Sequence, residues 1–498
     1  MPKYDIVISG AGLAGLICGS ILSRNGLKVC ILEKNLRAGG CLQNFTRKGI
    51  TFDTGVHYIG SLDDGQILER CFTYLGLTGK ISARRMNEDG YDIITFGDDE
   101  NVYRHPMGYE RYIEVLSSMF PRERAGIIKY CDTLRSVNDS FPINNLRTGE
   151  GVIDSEYFNT SVIDFLRSIT DNKKLQSVMA GTNLLYAGIS DHTPMFIHSL
   201  INYSYMQSAY RLVGGSEQIA EILSAQITQH GGLIFADAEV VRYLHNEKGE
   251  IKAAEIKNGE LFEGSNFIST LHPSLSVRMI DPKYLRKTYV SRIAELDNTI
   301  SVFGLYIVFK EGCFPYTDSN YYHYSGDNVW IAESYDAAAW PESFFMSITP
   351  QSDNEKYAAG INVLCCMKYR DVEKWSNTTV EKRGAEYKDF KEMKARAVIS
   401  LIEKRFPGFS GMIDSYYTST PLTYRDYTAT VDGSIYGISH DSENFIRSHI
   451  STKTKIPNLF FAGQSVNLHG VLGVAVSSIM TCGNIVGLDS LVAKIRNC

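Results

Sequence analysis

Three short strings in this chain bring together residues suited to chemistry. The first is Gly10-Ala11-Gly12-Leu13-Ala14-Gly15, set between an apolar run from Tyr4 to Ser9 and a helical pattern through Leu16, Ile17, Ile21 and Leu22. Gly10 permits a tight turn, Gly12 lets the backbone approach a diphosphate, and Gly15 lets the helix pack closely on the strand. The start of that helix, at Leu13 and Ala14, offers free N–H groups and a partial positive charge to an anion. Glu33 stands 23 positions after Gly10, at the end of an apolar run from Lys28 to Leu32, with Lys34 beside it. A carboxylate at that distance accepts both hydroxyls of a ribose. Strand, glycine turn, helix, strand and acid together predict a dinucleotide site.

The second string lies near the other end. Ile456 to Phe461 reads as a strand, Ala462-Gly463-Gln464 as a small-residue turn, and Val466-Asn467-Leu468-His469-Gly470-Val471-Leu472-Gly473 as the opening of a helix. The third holds Asp53-Thr54-Gly55-Val56-His57-Tyr58-Ile59-Gly60, with Thr420 to Tyr427 as a further polar and aromatic stretch. His57, His469, Arg425 and Tyr427 are the candidates for proton transfer or substrate positioning. The plainer reading makes each histidine a hydrogen-bonded, half-buried residue and pairs Arg425 with Asp426.

Arg37-Ala38-Gly39-Gly40 follows Glu33 at once, and here the chain resembles the phytoene desaturase, carotenoid isomerase and retinol saturase branches of the amine oxidase superfamily. The resemblance implies FAD as the dinucleotide. It places Arg37, Gly39 and Gly40 along the pyrophosphate and ribityl chain, Val240 on a middle strand of the cofactor domain, and Gly463, Gln464, Gly470 and Val471 where the site closes. The usual Asp after Ala-Gly is replaced by Gln464, whose carbonyl accepts the same bond without charge. The helix that opens near Gly470 is then expected to aim its N–H groups at the flavin pyrimidine. The His57-Tyr58-Ile59-Gly60, Gly463-Gln464 and Thr420-Pro421-Leu422-Thr423 strings carry the likeness to the saturase and isomerase branches. Two departures stand out. Ser465 occupies a position that tends to be acidic in the saturases, and Arg211-Leu212-Val213 stands where an aromatic-Pro pair is common.

The elements that must position these strings fit an α/β fold, an FAD-binding Rossmann-like domain interleaved with an α+β substrate domain. The chain has 498 residues, some three to four times an ordinary domain of ~150. The expected cofactor-domain pieces are 1–75, 211–285 and 445–498; the expected substrate-domain pieces are 76–210 and 286–444. Helices are expected over Arg122 to Leu134, Ser161 to Ile169, Ser216 to Ile227 and Thr379 to Phe406. Strands are expected at Val240–Leu244, Ile251–Ile256, Phe267–Thr270, Ile300–Phe309, Val329–Ile331, Phe344–Ile348 and Ile361–Met367.

Composition limits the function. Lys+Arg total 50 against 56 Asp+Glu, a net charge of −6 with no basic tract, so no nucleic-acid footprint is expected. Ten cysteines are scattered, with no CxxC and no Cys/His spacing for zinc, so no metal is expected. Thirty Tyr and 23 Phe against 3 Trp point to an aromatic pocket or an aromatic core, with clusters at Tyr203 to Tyr210, Tyr321 to Tyr324 and Tyr416 to Tyr427. The N-terminus reads as a strand into a glycine turn rather than a signal peptide, and no run reaches the ~20 apolar residues of a membrane span. A cytoplasmic protein is expected, with peripheral membrane contact allowed for and oligomeric state left open.

The resemblance implies an FAD-dependent oxidoreductase that saturates, desaturates or isomerises a C=C bond of a hydrophobic isoprenoid or polyene. With no second GxGxxG after a strand, the external electron partner is NAD(P)H docked without its own domain, another diffusing reductant or a quinone. An amine oxidase-like flavoenzyme is the first alternative. A prenyl-lipid escort of the GDP-dissociation inhibitor type is the second, and Glu33 with the Arg37 to Gly40 segment argues against it.

Overall fold

The computed structural model describes residues 3–149, 156–466 and 468–498. The glycine string follows β1 (Tyr4–Ser9) and opens α1 (Leu13–Arg24), which returns to β2 (Val29–Leu32). All four residues of β2 are buried, as a strand covered on both faces requires. Two glycines set how close α1 comes to the sheet. A side chain on Gly15 would overlap the Gly10 carbonyl oxygen, and one on Gly19 would sit 2.7 Å from Ile31 Cδ1.

The first sheet runs in the order 233–235, 29–32, 4–9, 261–269, 251–256, 240–245, with 459–461 added on 261–269. The strand Leu261–Ser269 serves two partners along its length. Its end pairs in parallel with β1 and with Leu459–Phe461, while Leu261 to Glu263 pair antiparallel with Glu255 to Ala253. The parallel strands therefore deliver three loops to one edge: Gly10–Gly15 after β1, Thr270–His272 after Ser269, and Ala462–Gln464 after Phe461. Ligands in such sheets bind beyond the carboxyl ends of the strands.

The second sheet runs 413–419, 301–309, 360–367, 343–347, 320–324, 92–96, 103–105. Its pairs are antiparallel except 320–324 with 92–96. All nine residues of Ser301–Phe309 are buried. One continuous apolar core joins this sheet to the helices Tyr109–Met119, Arg124–Asp139, Val162–Ile169, Met195–Gln207 and Gly384–Arg405. A short third sheet, 59–60 with 209–212 and 83–85, joins the His57 string to the end of Met195–Gln207.

Several expected elements form with shifted ends. The helix expected from Arg122 runs Arg124–Asp139 after a turn that Pro121 opens. Ser161 caps rather than joins its helix, accepting from the Asp164 N–H at 3.2 Å. The long helix starts at Gly384 instead of Thr379, because Glu381 and Gly384 both take positive φ. Val329–Ile331 is not a strand. Asn328 Oδ1 accepts from the Trp330 N–H at 3.0 Å, and this local bond turns the chain. Val329 and Ile331 are buried all the same, so their apolar pattern reports burial and not extended pairing. Among the described residues no helix is long and apolar enough to cross a membrane.

Candidate functional site

The cradle is built from backbone. Gly10 donates its N–H to Leu32 at 2.8 Å, and its φ of +99° makes the turn. Gly12 caps α1, whose first turn has no acidic residue and no side-chain cap. A side chain on Gly12 would meet nothing within 4 Å. An uncapped helix N-terminus thus faces open space, with its N–H groups lacking helical partners. Gly39 lies alongside, donating to the Ala11 carbonyl at 2.8 Å, and Gly39 and Gly40 both take positive φ. Glu33 is buried at the rim. It accepts from the Ala11 N–H at 2.8 Å and the Asn35 N–H at 2.9 Å, one on each oxygen. A carboxylate has about four lone-pair sites, so two remain for a sugar.

The closing elements meet it. Ala462 donates to Ser269 at 3.1 Å and Gly463 to Ser477 Oγ at 3.3 Å. Gly470–Val486 forms a second helix with no side-chain cap and no acid in its first turn, and Gly470 also faces open space. The helix packs on α1. Gln464 is half-buried in the turn; Asn467 lies outside the described residues. Val240 is buried at the start of Val240–His245, and Val471 is buried in the first turn of the second helix. Two helix starts that face open space, a glycine pair against one of them, and a buried acid with free lone pairs fit a flavin dinucleotide.

Two of the expected cofactor residues are engaged elsewhere. Arg37 forms an ion pair with Glu217 and is 59% exposed, so its charge is taken up by Glu217 on the helix Glu217–Gln229. Lys34 Nζ donates to the Asp426 carbonyl at 2.8 Å, and burial holds its pKa below the ordinary value.

The four proton-transfer candidates separate. His469 lies beside the second helix start. Its Nε2 donates to the Leu185 carbonyl at 2.7 Å and its ring stacks on Tyr436 at 4.1 Å. Burial pushes its pKa down to about 4, so it is a neutral imidazole with a fixed tautomer. His57 is the odd member: neither ring nitrogen has a hydrogen-bond partner among the described residues, and both are buried. Burial brings its pKa to about 4 as well. Buried orphan nitrogens are costly unless something else satisfies them, which sets His57 apart from the other histidines of this region. Arg425 is held by Asp426 at 2.8 Å, Tyr369 Oη at 2.7 Å and the Ser376 carbonyl at 3.1 Å. Tyr427 is 52% exposed, with its carbonyl accepting from Asn35. The structure does not bring Arg425 or Tyr427 to the crevice; the plainer ion-pair reading describes Arg425, and surface exposure describes Tyr427.

The crevice beside the cradle is lined by Ile59, Tyr205, Leu468, His469, Gly470 and Val471. Behind it stands an aromatic wall. Tyr58 packs on Tyr205 at 4.4 Å, and Phe345 contacts His57, Tyr58 and Tyr322 at ring distances of 5.7, 6.3 and 4.8 Å. The tyrosine clusters split here. Tyr205 and Tyr322 face this wall; Tyr210 bonds Asp63, Tyr324 bonds the Gly181 carbonyl, and Tyr321 packs on Phe406.

Sequence reasoning missed Asp53 as a support. Its carboxylate accepts from the Ser216 N–H at 2.8 Å, the Ser216 hydroxyl at 2.9 Å and the Thr349 hydroxyl at 2.9 Å, tying the His57 string to the helix Glu217–Gln229. Burial pushes its pKa up to about 6 against those bonds. Its place at the end of a strand before Thr54-Gly55 was the only signal.

Comparisons with known proteins agree with this geometry. All-trans-retinol 13,14-reductase of Danio rerio is 26% identical over 524 residues, covering 97% of this chain and 86% of the relative. The Homo sapiens enzyme of that name is 24% identical, covering 99% and 87%. Prolycopene isomerase of Daucus carota is 23% identical, covering 98% and 80%. Among solved structures, an oxidoreductase from Methanosarcina mazei superposes with TM-score 0.64 at 14% identity, covering 96% of this chain and 99% of that one. Putrescine oxidase bound to putrescine gives 0.63 at 14%, covering 97% and 99%. These structures establish the fold, a Rossmann-like cofactor unit interleaved with an α+β unit. The family model for flavin containing amine oxidoreductase matches residues 13–485, nearly the whole chain from the start of α1 into the closing helix, and the chain belongs to that family.

Proposed function

We propose that the protein is an FAD-dependent oxidoreductase that saturates or isomerises a C=C bond of an apolar isoprenoid or polyene. The observation that carries this reading is the end-to-end match to retinol reductases and a prolycopene isomerase by a chain whose closing helix start at Gly470 opens on a largely apolar crevice bordered by Tyr205. The division into cofactor pieces 1–75, 211–285 and 445–498 is part of the same proposal. All the strands of the first sheet fall inside those pieces, and all those of the second sheet fall inside 76–210 and 286–444.

Gly12 and the start of α1 would hold the pyrophosphate, with the Gly39-Gly40 backbone alongside, and Glu33 would hold the ribose. The start of Gly470–Val486, uncapped and facing open space, would favour negative charge on a flavin held beside it. His469 sets the entry of that helix as a neutral donor to Leu185. His57 supplies a neutral nitrogen at the substrate or ring edge. When bound, the flavin supplies hydride exchange at its N5. The protein contributes orientation, exclusion of water by the aromatic wall, and a proton. The external partner is a two-electron donor such as a reduced nicotinamide.

The test is anaerobic reduction of the bound flavin followed by addition of all-trans-retinol, carotenes and other polyenes. Flavin reoxidation with a dihydro or isomerised product is expected. Protein without flavin absorbance overturns the reading. Reactivity with amines alone, releasing hydrogen peroxide, favours the amine oxidase alternative.

A further inference from the structure

A chain of buried polar side chains lies behind the aromatic wall and takes no part in the cradle. Asp92 begins the strand Asp92–Phe96 and is fully buried. Its Oδ1 accepts from Asn320 Nδ2 at 2.9 Å and its Oδ2 accepts from the Tyr58 hydroxyl at 2.9 Å. The Tyr58 oxygen is also 2.8 Å from the Tyr322 hydroxyl. On the other side, Asn320 Oδ1 accepts from Arg211 Nη2 at 2.9 Å. Arg211 is fully buried too, and its other bonds reach the carbonyls of Thr317 at 2.6 Å and Ser319 at 2.8 Å.

This makes a row: Arg211, Asn320, Asp92, Tyr58, Tyr322. Two of its members, Arg211 and Asp92, have opposite needs. An ionised carboxylate is costly to bury, and so is a guanidinium without an anion. With Asp92 neutral the carboxyl is at ease and Arg211 is uncompensated; with Asp92 ionised the pair is compensated through Asn320. Neither state is strongly preferred. Burial raises the carboxyl to about 7, against the pull of Asn320, Tyr58 and Arg211.

The phenol pair reads out which state holds. One hydrogen lies between Tyr58 and each neighbour. When Asp92 is ionised, Tyr58 donates to it and Tyr322 donates to Tyr58. When Asp92 is protonated, the direction reverses, and the Tyr322 hydrogen is released from the row. Other titratable groups near Asp92 are set apart. His105, paired across from it, donates to the Val178 carbonyl at 3.0 Å, and burial keeps it neutral with a pKa of about 4. Tyr91, Tyr205 and Tyr324 are phenols that burial drives above their ordinary range.

We propose that Asp92, Tyr58 and Tyr322 form a proton wire that serves the reacting double bond, with Tyr322 the terminal donor and Asp92 a positioning residue that holds the reserve proton. The proposal rests on the functional reading above. Saturation adds a hydride to one carbon and a proton to its neighbour. Both electrons travel with the hydride from the flavin, previously reduced by a two-electron donor of the reduced nicotinamide or dithionite class. The π pair forms the second C–H bond with the Tyr322 proton. Tyr322 takes the Tyr58 proton, Tyr58 takes the Asp92 proton, and the new Asp92 carboxylate is balanced by Arg211 through Asn320. The double bond would thereby gain a hydride from the reduced flavin and one proton from the protein, leaving the flavin oxidised and Asp92 ionised.

The experiment uses the flavin-loaded protein, reduced anaerobically with dithionite and mixed with all-trans-retinol at a series of pH values. In wild type the single-turnover rate is expected to fall as pH rises through the Asp92 transition. Asp92→Asn should lower the rate at least about tenfold and flatten that profile, with the flavin spectrum unchanged. Tyr322→Phe, which keeps the ring and its packing, should lower the rate similarly and carries the test if Asp92→Asn fails to fold. Asp92→Glu should restore a sloping profile. An unchanged profile in Tyr322→Phe or in folded Asp92→Asn overturns the wire while leaving the function standing. No reoxidation of wild-type flavin by any polyene overturns the functional reading, and the wire with it.

Discussion

The cradle and the aromatic wall stand side by side and are made in opposite ways. The cradle is backbone: glycine turns, two bare helix starts, and one acid that bonds its own loop. The wall is side chain: Tyr58, Tyr205, Tyr322, Phe345 and the Arg211–Asp92 row, drawn from segments far apart in sequence. Diphosphates are all alike, and backbone N–H groups suffice to bind one. A carbon skeleton is recognised by shape, which only side chains supply. The difference explains why one region follows a spacing rule and the other does not.

The sharpest way to break this contrast uses two glycines of one loop. Gly15→Val forces a side chain into the Gly10 carbonyl oxygen and should cost more than about 4 kcal/mol, seen as insoluble protein or a collapsed melting temperature. Gly12→Val has free space in the protein alone. It should lower flavin per chain at least about tenfold while the melting temperature of the flavin-free protein moves by less than about 3 °C. A Gly12→Val protein that retains flavin would remove the pyrophosphate from this turn.

A third test sits on the boundary between the two regions. Burial lifts the Asp53 carboxyl from 3.8 to about 6, so the folded chain holds this proton where the unfolded chain has lost it. Stability from this group is full below about pH 4 and is lost as pH rises through 6. Asp53→Asn should remove that slope and cost about 2 kcal/mol through its lost acceptor. Melting profiles of both proteins across this range give the difference directly. His57 carries the opposite sign: its pKa is depressed to about 4, so its contribution is present above about 6.5 and lost as pH falls through 4. Equal slopes in wild type and Asp53→Asn would show that the carboxyl is not the titrating group.

The smallest effect is expected at Tyr427→Ala. The ring is 52% exposed, so flavin content and turnover should stay within about twofold of wild type. A tenfold loss in turnover with flavin intact would return this residue to the substrate side.

What was legible follows the same divide. Gly10 to Gly15, Glu33 and the Gly470 helix start could be read because their roles depend on near neighbours in sequence. In the Arg37-Ala38-Gly39-Gly40 string, Gly39 lies against the glycine turn at Ala11, but the Arg37 side chain turns to Glu217, a partner 180 residues away. Arg425 and Tyr427 were put forward for their chemistry, and nothing local distinguished a surface ring from a buried one. Arg211 looked like a mere departure from pattern. Its meaning depends on Asn320 and Asp92, which only the folded sheets bring beside it.

The shared strand Leu261–Ser269 sets a timetable. Leu459–Phe461 completes the sheet by pairing with it, and Gly470–Val486 packs on α1. During synthesis the glycine turn at Gly10–Gly15 is therefore made early and waits for some 450 residues before its closing helix exists. At ~5–20 residues per second that interval is roughly 25–90 s, and for its last ~190 residues, roughly 10–40 s, the edge of Leu261–Ser269 is unpaired. The cofactor can be locked in only once Gly470–Val486 has been made, and a ribosome that stalls between Ser269 and Leu459 leaves an open sheet edge for chaperones to guard.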